Sequence, residues 1–156
     1  MSRIPHHIHQ AGAYFLTTHT WQRRQLFKQD APAKIVIEQL LNCRDRGFYK
    51  LHEFSLMPDH LHVLLTPGET VTIEKCMQMS KGGSAFTIRR TLNFQWPVWQ
   101  EGFHDRWLRD AKEFNTRTRY IRENPVKANL ATSPETYVWS SASQHFPLDP
   151  SMFTAS

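Results

Sequence analysis

The sequence predicts an α+β fold of ferredoxin-like type, with helices packed on an antiparallel sheet. Three observations carry that expectation. The elements run strand, helix, strand, strand, helix, strand, helix; Pro58-Asp59 makes a turn between two strand-like runs; and the apolar residues switch between strand alternation and helical spacing. The 156 residues suit one domain whose core needs no disulfide staples. That domain is expected at 12–145, after a flexible segment at 1–11 and before a tail at 146–156 that holds two prolines and no helical pattern.

The elements follow in order. Residues 13–21, AYFLTTHTW, are aromatic and β-branched and read as the first strand. A basic loop carrying Arg23, Arg24 and Lys28 comes next. In 31–48, Ile35, Ile37, Leu40 and Leu41 lie near helical spacing, with Pro32 early and Gly47 as a stop, so this segment reads as helix. Residues 49–57 and 60–66 should form a hairpin across Pro58-Asp59. Residues 72–92 read as a helix that Gly82-Gly83 either break or open to the close approach of another backbone. The Trp-dense stretch 94–110 suggests a short strand or hairpin with its loop, and 111–130 a helix that meets Pro125.

Composition limits the function classes. No apolar run approaches the ~20 residues that span a bilayer, and the N-terminus lacks a secretory h-region. A soluble, cytoplasmic protein is therefore expected, with Cys43 and Cys76 reduced and packed as small core residues. A net charge of +5 favours a polyanionic partner, nucleic acid ahead of a membrane surface.

The hairpin raises a chemical question. In FSLMPDHLHVLLTP (54–67), strand parity puts His60 and His62 on one face while Leu61, Val63 and Leu65 line the other. Two imidazoles side by side offer two nitrogens to a divalent ion and leave further coordination positions open. A His-x-His triplet alone is a weak signal. His7-Ile8-His9 repeats it in a polar stretch with no strand pattern, and reads as incidental.

The last helix holds a second unusual residue. Ala111, Phe114, Thr118 and Ile121 fall on one stripe, the expected core face, and Tyr120 lies off it with Glu113, Arg117 and Asn124. A tyrosine on the polar side of a helix either covers a groove edge or acts as a nucleophile toward a phosphodiester. A phenol is mostly protonated at neutral pH, so such a role needs a cation or metal nearby, and Arg117, Arg119, Arg122 and Lys127 supply positive charge. Asn124 sits one turn on, where its amide could ligate a metal; being followed by Pro125, it also fits the N-cap of a new helix.

Together MPDHLHVLL and RYIRENPVKANL resemble the HUH single-strand tyrosine transposases, with Leu61 as the hydrophobic residue between the histidines. The nearer likeness is to the REP-associated tyrosine transposases, because GAYFLTTHTWQRRQLF, PDHLH, VWQEGFHDRWLRD, YIRENPVKANL and YVWSS occur in that family's order over most of 12–141. The resemblance implies a HUH endonuclease fold and a metal-dependent nick of single-stranded DNA. His60 and His62 would be metal ligands, Tyr120 the nucleophile that becomes joined to a DNA 5′-phosphate, and Asn124 the amide-bearing third ligand, here shorter than the Gln that relatives often carry. It further implies Mg²⁺ or Mn²⁺, single-stranded DNA bearing hairpins or palindromic repeats as substrate, no small-molecule cofactor, no membrane partner, and a monomer or homodimer. Arg23, Arg24, Lys81, Arg89, Arg90, Arg117 and Lys127 are candidate DNA contacts. Trp21, Trp96, Trp99 or Trp107 could stack bases, although most tryptophans are expected in the core. Two other functions use part of the same set: a hairpin-binding regulator without turnover, and a metal-dependent hydrolase that activates water and ignores the tyrosine.

Overall fold

The computed structural model describes residues 10–143 and 146–153. The elements are β1 (Tyr14–His19), α1 (Asp30–Asp45), β2 (Tyr49–Met57), β3 (His60–Pro67), α2 (Ile73–Thr91), β4 (His104–Trp107) and α3 (Ala111–Lys127). The strands form one antiparallel sheet in the order β2-β3-β1-β4. That is the ferredoxin-like arrangement the element order predicts. No helix among the described residues is long and apolar enough to cross a membrane.

Strand parity divides the side chains between two layers. Leu16 of β1, Leu61, Val63 and Leu65 of β3, and Phe54 and Leu56 of β2 share one buried cluster with Val36, Ile37 and Leu40 of α1 and Met77 and Ile88 of α2. The opposite face carries α3, where Phe114 and Ile121 meet Leu64, Ala13 and Leu108 in a second, smaller cluster. A register shift between Leu51 and Glu53 bulges β2. His52 there stacks edge-on against Phe114 at 5.2 Å, and Glu53 lies 3.6 Å from the Arg122 guanidinium, so both bulge residues serve the α3 side.

Several local expectations are refined. The first strand stops at His19, and the basic loop begins with a 3₁₀ turn at Trp21–Arg23. Gly82-Gly83 do not break α2, which runs on to Thr91 behind its Thr72 cap. The close approach at Gly83 is by a side chain and not a backbone: a Cβ there would collide with the amide of Gln39, which α1 holds against the Met79 carbonyl at 2.9 Å. Trp99 is buried, its indole N–H donating to the Ser84 hydroxyl at 3.0 Å, whereas Trp96 is exposed and Trp21, Trp107 and Trp139 are half-buried. Cys43 and Cys76 are buried and free.

The N-cap reading of Asn124 is corrected. α3 starts at its own cap, Asp110, whose carboxylate accepts the Glu113 N–H at 2.9 Å, and passes unbroken through Pro125. Asn124 is inside the helix, its carbonyl accepting the Ala128 N–H at 3.0 Å. Proline usually ends a helix because it lacks an N–H and crowds the preceding turn. Here only Val126 and Lys127 follow it in the helix, and its ring is buried, so burial offsets one lost helical bond. Residues 146–153 dock across β2: Asp149 accepts the Leu51 N–H at 2.8 Å and pairs with Arg44 at 3.0 Å. His7 and His9 lie outside the described residues.

Candidate active site

The α3 face of β1 and β3 carries a chain of aromatic and imidazole rings. In the register of the two strands His62 lies opposite Thr17, and His60 opposite His19. The His60 and His62 rings are 4.7 Å apart between centroids, His19 is 5.6 Å from His60, and His104 of β4 is 6.0 Å from His19. α3 lowers Tyr120 onto one end of this row. Its ring meets that of His62 edge-on at 5.4 Å and that of Phe15 at 5.8 Å, while Phe15 stacks on His62 and carries the Arg117 guanidinium 4.8 Å from its centroid.

Both hairpin histidines have one nitrogen fixed by the protein. His62 Nδ1 bonds the Thr17 hydroxyl at 2.8 Å, and His60 Nδ1 bonds the Asp59 carboxylate at 2.7 Å. In each case Nε2 has no hydrogen-bond partner among the described residues, the division of labour found when a second group orients a metal-ligating imidazole. Burial first, then the neighbouring His60, His19 and Arg117, pushes His62 down to about 3, so it is neutral at physiological pH and presents a lone pair. Burial works to raise the Asp59 carboxyl, but hydrogen bonds from His60 and Arg23 outweigh it and hold the group below the usual carboxylate range. The Arg23 guanidinium reaches Asp59 at 3.1 Å and completes a short Arg–Asp–His relay.

The donor set therefore suits two ligands of a divalent ion. Among the described residues no three His, Cys, Asp or Glu side chains converge to hold one alone. A third protein ligand would have to come from another residue type, which is where an amide such as Asn124, half-buried one turn beyond Tyr120, would enter.

The four tyrosines differ sharply. Tyr14 and Tyr49 are buried, with hydroxyls on the Gln10 carbonyl at 2.6 Å and the Ser80 hydroxyl at 2.8 Å. Tyr137 donates to the Leu56 carbonyl at 2.7 Å, and burial pushes its phenol up to about 12. Tyr120 is 39% exposed, and among the described residues its hydroxyl has no hydrogen-bond partner.

The candidate DNA contacts do not gather on this face: Arg117 and Lys127 lie on α3, Arg23 and Arg24 follow β1, and Lys81, Arg89 and Arg90 lie on α2. Arg117 borders the site over Phe15, and Arg23 is tied to Asp59. Arg24, Arg89 and Arg90 are exposed, as is Lys127, which pairs with Glu123 at 3.9 Å. Lys81 has turned inward: its ammonium donates to the Gln100 and Gly102 carbonyls at 2.9 and 2.6 Å, and burial pushes it down to about 8. Sequence reasoning missed Thr17, His19 and Asp59 and gave His104 no role. Parity carried the signal for two of them, since Phe15, Thr17 and His19 alternate with the core residues Tyr14 and Leu16.

Comparison with known proteins places this geometry in a family. A family model described as transposase, IS200-like, matches residues 10–124. The structure of a REP-associated tyrosine transposase bound to a REP hairpin shares the fold with a TM-score of 0.75 at 18% identity, covering 97% of this chain and 92% of that one. A candidate transposase of Deinococcus radiodurans R1 aligns at a TM-score of 0.55 and 20% identity over 78% of this chain and 96% of its own. An uncharacterised protein of Haemophilus influenzae Rd is 22% identical across 80% of this chain and 86% of that protein. The fold is thus that of the HUH transposases, as the resemblance implied, and the chain belongs to the IS200-like transposase family.

Proposed function

We propose that this transposase nicks and rejoins single-stranded DNA through Tyr120. The observation that carries the reading is that an exposed tyrosine, whose hydroxyl has no hydrogen-bond partner among the described residues, stands in ring contact with His62, beside His60. In the nick, the Tyr120 oxygen forms a bond to phosphorus and the bond from phosphorus to the 3′ oxygen breaks. The phenol proton goes to solvent, and the departing oxygen takes one up as a 3′-OH. The product is a 5′-phosphotyrosine, and attack by another 3′-OH reverses the step and joins strands without an external energy source.

Each neighbour has a part in this. Phe15 and His62 hold the Tyr120 ring edge-on, and the side chain stays exposed enough for a phosphodiester to approach. Arg117 places positive charge at the same edge. His60 and His62, through Nε2, would hold a divalent ion such as Mg²⁺ or Mn²⁺, with the Asn124 amide as third ligand. When bound, that ion supplies charge neutralisation at the scissile phosphate. Hairpin-bearing single-stranded DNA is the substrate this reading favours, in keeping with the REP hairpin bound by the structural relative.

Covalent trapping on a denaturing gel tests the reading. Labelled hairpin-bearing single strands from the gene's own flanks should attach to wild-type protein with Mn²⁺ and not with chelator. Tyr120→Phe should bind the same DNA and form no adduct. An unchanged adduct yield in Tyr120→Phe would remove the assignment. A regulator without turnover would give binding and no adduct even in the wild type, and a water-activating hydrolase would cut without attachment.

A further inference from the structure

Beyond the imidazole row, the surface continues into a second patch that the nicking chemistry does not use. The turn after β1 is anchored to the site: the Thr20 N–H donates to the Asp59 carbonyl at 3.0 Å and Arg23 pairs with the Asp59 carboxylate. From there Arg24 turns its guanidinium across two indoles, 4.9 Å from Trp21 and 5.2 Å from Trp96. Phe94 packs against Trp96 at 5.8 Å, and one turn of α2 further on Arg90 lies 5.9 Å from the ring of Phe86. Phe94 lines both the hollow at Trp21 and Arg24 and the hollow at Phe86, Arg89 and Arg90, and Trp96 joins them through its contacts with Phe94 and Arg24.

Three properties set this patch apart. Two of its aromatics are out of the core, Phe86 at 64% and Trp96 at 48% exposure, while Trp21 and Phe94 are half-buried. Its charge has one sign: the two adjoining hollows are lined by Arg24, Arg89 and Arg90 and by no carboxylate among the described residues. Finally, the two turns that carry it hold Gln22, Arg23 and Asn93 at φ of 55, 53 and 52°, in the left-handed region that non-glycine residues avoid. Such backbone persists where surrounding structure demands it, most often at functional sites.

We infer that this patch is a stacking platform for the unpaired flank of the DNA substrate. Arg24 covers one face of Trp96, and a nucleobase takes the other. The phosphates on either side of that base are met by Arg89 and Arg90. Exposed aromatics interleaved with unopposed arginines bind single strands because every base has a π-face and every linkage a negative charge. A duplex hides its bases and would use only the arginines. The choice of ligand rests on the nicking reading above, whereas the platform itself can be tested without any cleavage.

The test uses the full chain and two probes: fluorescein-labelled oligothymidylate, and a blunt DNA hairpin with no unpaired flank. Trp96→Ala should weaken oligothymidylate binding about 10-fold, Trp96→Phe should keep most of the affinity, and the blunt hairpin should bind both as it binds the wild type. An oligothymidylate carrying one fluorescent purine analogue should be quenched by wild type and less so by Trp96→Ala. Arg89→Glu with Arg90→Glu should weaken the same probe and flatten its salt dependence. Unchanged affinity and quenching in both Trp96→Ala and Arg24→Ala would overturn the inference, as would an equal loss on the blunt hairpin. Failure of the Tyr120 adduct with these binding effects intact would instead count against nicking alone.

Discussion

The two faces of the sheet are made by the same strands and used for opposite purposes. Toward α1 and α2, β1 presents Tyr14 and Leu16, and β3 presents Leu61, Val63 and Leu65, all in the large apolar cluster. Toward α3 the same strands present Phe15, Thr17 and His19, and His60, His62 and Leu64, where hydrocarbon gives way to rings and hydrogen bonds. The lesson is one of separation. Burial on one face supplies the stability that lets the other hold two adjacent imidazoles, one of them forced to stay neutral, close to an exposed phenol.

If that division holds, substitutions on the two faces should fail in different ways. The largest effect should come from His60→Ala combined with His62→Ala, which should reduce metal-dependent nicking to background while the far-ultraviolet dichroism stays native. Cleavage that survives both the double substitution and a chelator would take the metal out of the account. Leu56→Ala, on the α1/α2 side, should cost about 2–5 kcal/mol in urea unfolding, yet leave the adduct intact under native conditions. A loss below about 1 kcal/mol would mean the two faces share the load.

Smaller effects sharpen the comparison. Gly83→Ala should be the less favourable of the two helix-glycine substitutions by about 1 kcal/mol, because its Cβ displaces the Gln39 amide from the Met79 carbonyl. Gly82→Ala, with no atom near its Cβ, should gain up to about 1 kcal/mol from helix propensity. Equal effects at the two glycines would contradict the α1–α2 contact described above. Asp149 is held below the usual carboxylate range: burial acts to raise it, but Arg44 and the Leu51 N–H prevail. Its contribution is therefore present above the unfolded value of about 3.9 and lost as pH falls through the lower folded value. Asp149→Asn should cost about 1–2 kcal/mol near neutrality, and the gap from wild type should close in acid. A gap that widened on acidification would reverse the sign of this argument.

Much of this architecture was legible in the residues. The hairpin, the same-face histidines and the off-core tyrosine follow from periodicity, which is local and strong. What escaped the sequence depends on contacts between distant segments. His19 joins the site only because β1 pairs with β3 in a register that sets it opposite His60, and no local pattern states that register. The continuity of α3 past Pro125 reverses a sound local rule, because burial of the ring outweighs one missing hydrogen bond. Lys81 shows the same limit for charge: no local pattern near Gly82-Gly83 tells that its ammonium sits on two carbonyls. The tryptophans err the other way, since core packing is the commoner fate of the residue and Trp96 does not follow it.

The central claim is that a single tyrosine carries the chemistry, and mass spectrometry of the trapped complex addresses it directly. After nuclease and protease digestion, the nucleotide should be found on the peptide containing Tyr120 and on no other. A nucleotide mapped to Tyr137, or to any residue outside α3, would contradict the account.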